Sequence, residues 1–278
     1  MLCLHGTPGC HDGIVCDFDK WLDQGFGVIA PSRPNYGRSK LDSGSNKYWD
    51  QADGIAALLD SLNVDKVGVY AYSGGGPCAI NFAARHKDKT TCLILEAANS
   101  GDWDDPRAKK MHTFSMKAIS KSTFTARFIG WLAKKNPLTF IKDIMMPGLS
   151  TYNAQEREVQ IAQIKENIPP EKIAKAAEDF AEAAWVFPLY PECWESYERE
   201  MLDCWKDPCP FEDVECPTHI SHGDRDGDPR RHADNSHAGI KGSKLRILEG
   251  AWHMVDFHPE GADLFKEQVE FAKTNTAN

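Results

Sequence analysis

Val67 to Ala79 reads VGVYAYSGGGPCA. Its β-branched and aromatic start has the character of a buried strand. Gly74 to Gly76 supply a tight turn, and Pro77 is a first-turn helix residue whose φ is already helical. A serine at such a strand-to-helix corner, here Ser73, exposes its hydroxyl and faces the backbone N–H groups that follow it. The stretch predicts an α/β fold that presents a nucleophile. Ala71-Tyr72-Ser73-Gly74-Gly75 spells the GxSxG elbow with alanine in place of the first glycine.

A glycine-rich turn between strand and helix also serves dinucleotides. Gly74, Gly76 and Ala79 fit GxGxxA, and Glu96 follows Gly76 by twenty positions. Two other segments weigh against that reading. His5 to Gly9, HGTPG, directly follows the apolar Met1 to Leu4. A strand that stops in a Gly/Pro turn points its next N–H groups outward, and Thr7 sits where an oxyanion donor would stand; the bland alternative is a plain βα turn. Farther on, Pro217 to His222 reads as a strand ending in Gly223-Asp224-Arg225-Asp226, and Leu245 to Leu248 as one ending in Gly250-Ala251-Trp252-His253. The order Ser73, Asp226, His253 is that of a serine, acid and histidine triad on an α/β sheet. A solvated loop histidine is the competing reading of His253.

Taken together, His5 to Gly9, Arg33-Pro34-Asn35-Tyr36-Gly37-Arg38-Ser39, Ser73 to Pro77, Gly223 to Asp226 and His253 resemble the α/β-hydrolase superfamily. The resemblance is to the group that carries HGxPG, RPxYGxS and an SGGGP elbow, and it spans nearly the whole chain. It implies a mostly parallel sheet with a helical cap insertion, and catalysis by Ser73, Asp226 and His253 with the backbone N–H groups of Thr7 and Gly74 as oxyanion donors. It also implies hydrolysis of a small-molecule ester through an acyl-enzyme, with no cofactor and no metal. A proline iminopeptidase-like aminopeptidase is the enzymatic alternative, and a non-catalytic small-molecule receptor is the alternative of another class. Serine at position 73 disfavours the branches of the superfamily that use an aspartate nucleophile. The chain departs from the family by beginning four residues before His5, so the sheet is expected to lack its first two strands. Gly27 to Ala30 would then form an unprotected edge, a pairing hazard.

Composition suits one soluble enzyme. The 278 residues are 41% hydrophobic, enough for a sizeable core, and the net charge of -9 argues against a nucleic-acid partner. No apolar run approaches the roughly 18 residues needed for a membrane span, and no secretory signal is read at the start. Nine cysteines in no CxxC spacing, and no NxS/T acceptor, point to a reduced cytoplasmic setting. His219, His222, Asp224, Asp226 and Asp228 crowd one strand end. The run DRDGD departs from a calcium loop in the position of its glycine, and Asn235 stands where the last ligand would be glutamate. His219 and His222, three apart on a strand, point to opposite faces and make a poor zinc pair. Oligomeric state is not legible.

Strands are expected at Leu2 to Leu4, Gly27 to Ala30, Val67 to Ala71, Cys92 to Leu95, Thr218 to His222 and Leu245 to Leu248, and core helices at 50–62, 77–85, 229–238 and 259–274. This α/β alternation defines a hydrolase core of residues 1–99 and 206–278. Residues 100–205 read as a helical cap or lid, with helices at 109–121, 124–135, 153–168, 171–187 and 193–205. Within it 101–150 is basic and 151–205 acidic, patterns that usually face water. An acidic lining would instead favour a cationic substrate group. Phe128, Trp131, Trp185, Phe187, Leu189, Tyr190 and Trp194 are expected to be core.

Overall fold

Strands apolar on both faces need cover on both sides, and the sheet is built that way. Five parallel strands lie in the order β1 (Leu2–Leu4), β2 (Val67–Tyr72), β3 (Thr90–Glu96), β4 (Thr218–Gly223) and β5 (Lys244–Leu248). In this computed structural model residues 1–7, 9–11, 19–40, 47–101, 122–189, 193, 200 and 207–276 are described. Side chains alternate along each strand. Leu2, Leu4, Val69, Ala71, Leu93 and Leu95 enter one core, against helices α2 (Tyr48–Ser61) and α3 (Gly76–Arg85). Cys3, Tyr70, Tyr72, Cys92 and Ile94 enter the other, with Trp21 of the short helix α1 (Asp19–Leu22) and with Val269 and Ala272.

The expected strand at 27–30 is reduced to a single bridge between Ile29 and Leu2. Two backbone bonds make it: Ile29 N–H donates to Met1 at 2.9 Å and Cys3 N–H to Ile29 at 2.8 Å. Pro31 has no N–H to extend the ladder, and Gly25, at φ +87, turns the chain just before it. The segment is not left bare, since Phe26 packs edge-on against Trp21 with ring centroids 5.5 Å apart.

Between β3 and β4 the described chain is helical. The block comprises α4 (Thr123–Lys135), short helical turns from Pro137 to Leu149, α5 (Ala154–Asn167) and α6 (Pro170–Leu189). α5 begins where the sequence says it should: Asn153 Oδ1 accepts from the N–H groups of Gln155 and Glu156 at 2.9 and 3.0 Å, and Glu156 returns a bond to Asn153 N–H. α4 and α6 pack together and bury alanines, Ala126 and Ala133 on the one and Ala177 and Ala181 on the other. That choice of face corrects the expected core: Phe128, Trp131 and Leu189 are exposed, and Trp185 is half-buried. The expected helix at 109–121 and the side chains of Phe187, Tyr190 and Trp194 lie outside the described residues. So does the expected helix at 193–205 apart from Cys193 and Glu200, which are helical.

Helices α7 (Arg231–Gly239) and α8 (Gly261–Thr276) complete the layers. Among the described residues no helix is long and apolar enough to cross a membrane.

The segment that follows the short turns joins the block to the sheet. Ser150 forms an antiparallel bridge with Asp226, Thr151 N–H donates to Arg225 at 2.9 Å, and Leu149 O accepts from both Gly227 N–H (3.2 Å) and His253 N–H (3.1 Å). The loops after β4 and β5 are thus held by one stretch of the helical block.

Candidate active site

Ser73 stands directly after β2 with φ +51, a left-handed conformation that costs a non-glycine residue energy unless its surroundings enforce it. Close backbone approach enforces it here. Asn99 N–H donates to Ser73 O at 2.9 Å, and a Cβ on Gly76 would stand 2.1 Å from Asn99 O, so only glycine fits there. The same crowding brings in the HGTPG loop. A Cβ on Gly74 would lie 3.0 Å from Thr7 N, and one on Gly6 would lie 3.4 Å from Ser73 Oγ. Thr7 and Gly74 therefore meet beside the Ser73 side chain.

His253 and Asp226 come together from the loops after β5 and β4. Imidazole Nδ1 is 2.9 and 3.0 Å from the two oxygens of the Asp226 carboxylate, and both residues are buried. A bond from Nδ1–H to Asp226 leaves Nε2 as the basic atom. Asp224 and Asp228, its neighbours in the run, are placed differently. Asp224 accepts from Gly250 N–H at 2.6 Å and shapes the turn before His253, whereas the nearest Asp228 carboxylate oxygen is 4.0 Å from Nδ1. Burial disfavours the imidazolium, but the Asp226 charge and hydrogen bond outweigh it and push His253 up to about 9.

Tyr72 connects the two halves. It immediately precedes Ser73, its ring lies 5.0 Å from that of His253, and its hydroxyl donates to His253 O at 3.0 Å. Nothing in the local sequence marks this contact, because it crosses 181 positions.

Two more residues reach the site, of which His222 stands in the run of histidines and acids at the strand end and Glu200 is unannounced. Glu200, from the helical block, is buried and receives Arg33 Nη1 at 2.7 Å and the hydroxyls of Tyr36 and Thr7 at 2.6 Å each. His222 Nε2 lies 3.5 Å from Asp226 and 3.1 Å from Asp228 O, while His219 turns the other way and meets Glu267 at 3.0 Å. Among the described residues, Asp226, Asp228 and His253 place ligand-type atoms within 4.8 Å of one another and could hold a cation. The bonds from Nδ1 to the Asp226 oxygens, at 2.9 and 3.0 Å, are those of an N–H donated to a carboxylate, so two of these three groups already serve one another. His5 is buried and faces Arg33, which together keep it well below 6.5; its Nε2 accepts from Arg33 N–H at 2.8 Å. That imidazole is a structural bracket of the HGTPG loop.

Residues 1–255 match the family described as alpha/beta hydrolase fold. An uncharacterized hydrolase of Bacillus subtilis is 32% identical over 108 residues, 38% of this chain, and the match spans 37% of that relative's length. Among solved structures, an alpha/beta hydrolase fold protein from Nakamurella multipartita superposes with a TM-score of 0.82 at 23% identity, over 98% of this chain and 91% of that one. An esterase from Exiguobacterium antarcticum superposes with a TM-score of 0.61 at 17% identity, over 98% and 91%. At these identities the structural likeness shows the fold.

Proposed function

The chain belongs to the alpha/beta hydrolase fold family, and from that premise we propose that it is a serine hydrolase cleaving a small-molecule carboxylic ester through an acyl-enzyme. The observation that supports this reading is the Asp226–His253 pair, at 2.9 Å, tied through the Tyr72 hydroxyl on His253 O to the strand end where Ser73 is held at φ +51.

In the first half-reaction Ser73 Oγ attacks the ester carbonyl carbon and its proton passes to His253 Nε2. The N–H groups of Thr7 and Gly74 take the developing oxyanion, a kind of donor worth about 2.7 to 4 kcal/mol of barrier each. The carbon–oxygen bond to the alcohol then breaks, and the departing alkoxide takes the proton from His253. In the second half-reaction water attacks the acyl-enzyme, gives its proton to His253, and releases the carboxylic acid as Ser73 recovers its own. Asp226 stabilises the imidazolium throughout and fixes the tautomer.

The helical block, residues 100–205, is assigned the role of a cap, which is supported by its contacts to three of the four loops of the site: Leu149 and Ser150 to those of His253 and Asp226, and Glu200 to that of Thr7. The aminopeptidase reading needs a free carboxylate for a substrate ammonium group. Glu200 is an acidic residue of the block that reaches the site, and its charge is already met by Arg33. Among the described residues, that pairing favours the ester reading. A reducing cytoplasmic location is part of the proposal, supported by an odd number of cysteines, nine, scattered along the sequence.

Turnover of p-nitrophenyl butyrate set against amino-acid p-nitroanilides tests the proposal. Ester cleavage that disappears in Ser73→Ala is expected. Preferential cleavage of a prolyl anilide would move the assignment to the peptidase, and failure of every ester and anilide to turn over would remove the hydrolase reading.

A further inference from the structure

Arg33 opens the Arg33-Pro34-Asn35-Tyr36-Gly37 turn, and its guanidinium has no exposed surface. A buried guanidinium must have its charge met and its donors filled. Glu200 does most of this, accepting from Nη1 at 2.7 Å and Nη2 at 3.1 Å. Of the remaining donors, Nη1 also reaches Gln51 Oε1 at 3.5 Å, and two turn to the HGTPG loop: Nε to His5 O at 2.9 Å and Nη2 to Thr7 Oγ1 at 2.6 Å.

The Thr7 hydroxyl is therefore held at both ends. It accepts from Arg33 and donates to Glu200 Oε2 at 2.6 Å, the same oxygen that takes the Tyr36 hydroxyl at 2.6 Å. Fixing that hydroxyl fixes the residue that carries it, and the Thr7 N–H lies over Gly74 at the elbow. An oxyanion donor works by being aimed before the charge develops. Loops built from glycine and proline turns do not aim themselves, and this one is tied down from outside.

We propose that Glu200 is a positioning residue for acyl transfer: its carboxylate, supplied by the helical block 167 positions from Arg33, anchors the Thr7 hydroxyl and so directs the Thr7 N–H at the oxyanion. This inference rests on the serine hydrolase reading above. It gives the block a part in the chemical step beyond covering the substrate.

The test compares Thr7→Val, which keeps shape and loses the hydroxyl, with Thr7→Ser, which restores it, and adds Glu200→Gln. Each full-length variant is assayed for kcat and KM with p-nitrophenyl butyrate and for inhibition by butylboronic acid, which bonds to the serine as a tetrahedral anion. Its melting temperature is also measured. Thr7→Val is expected to lose about tenfold in kcat, with KM within about twofold and boronate affinity weakened in step with kcat. Thr7→Ser should recover most of that loss, and Glu200→Gln should follow Thr7→Val. A Thr7→Val enzyme with unchanged kcat and boronate affinity overturns the proposal, as does a loss seen only in melting temperature or only in KM. Should Glu200→Gln not fold, the Thr7 pair still decides. Failure of the underlying reading looks different, because Ser73→Ala would then retain hydrolysis.

Discussion

The hydroxyl of Tyr72 donates to the carbonyl oxygen of His253 at 3.0 Å while its ring lies 5.0 Å from the imidazole. One side chain thus ties the strand that carries Ser73 to the loop that carries the proposed base. The tie acts on the orientation of His253 rather than on its charge.

Tyr72→Phe keeps the ring and removes the donor. The loss of one hydrogen bond of about 1 kcal/mol corresponds to about fivefold in kcat where the bond orients the imidazole in the transition state. Steady-state kinetics and a melting curve separate the two effects. A lower melting temperature with unchanged kcat would confine Tyr72 to stability.

Ser73→Ala removes the proposed nucleophile without disturbing the glycines around it. Fluorophosphonate labelling and ester hydrolysis should both vanish, turnover falling on the order of 10⁶ as in comparable triads. Peptide mapping of the labelled wild-type protein checks the site directly. Label on another serine would dismiss the elbow assignment.

Asp226→Asn should leave the fold intact and lower kcat by up to about 10⁴, because asparagine cannot stabilise the imidazolium and reverses the tautomer preference. Asp228→Asn, whose carboxylate is 4.0 Å from Nδ1, is expected to do far less. Asp224→Asn should act through the Gly250 turn and show as lowered stability. The ranking of the three variants is the measurement, and any other order overturns the choice of acid.

His253 acts as a base only when neutral, and Asp226 lifts it from 6.5 to about 9 against the opposing effect of burial. kcat/KM should accordingly rise with pH along a limb whose midpoint lies above 6.5, toward about 9. For stability the sign is opposite. A group raised on folding contributes fully below its unfolded value near 6.5, and the contribution is lost as pH rises through about 9. Activity and melting temperature are thus expected to move in opposite directions across that window. A profile already flat above pH 6 would show that His253 is not raised in the free enzyme.

Local chemistry made much of this fold readable. β2 and the elbow follow from a β-branched run, three glycines and a proline, and the helix expected at 153–168 is α5. What escaped is non-local. Periodicity placed Phe128 and Trp131 on a helix but could not say which face is packed, and the alanines Ala126 and Ala133 took that face because small side chains let α4 and α6 approach closely. The strand at 27–30 failed on the proline that ends it. Glu200 had no local signal at all. The clue was indirect, since Arg33 beside a buried strand end needs an acid from somewhere, and the acid lay 167 positions away.

The segment from Leu149 to Thr151 bears on how such an enzyme can be altered. Leu149 O serves the N–H groups of both Gly227 and His253, and Ser150 pairs with Asp226. Exchanging the helical block for that of a relative would remove these partners along with the surface that the proposed cap presents to substrate. A chimaera made that way would confound recognition with integrity of the acid and histidine loops. Grafts that retain residues 149–151 keep the two questions apart.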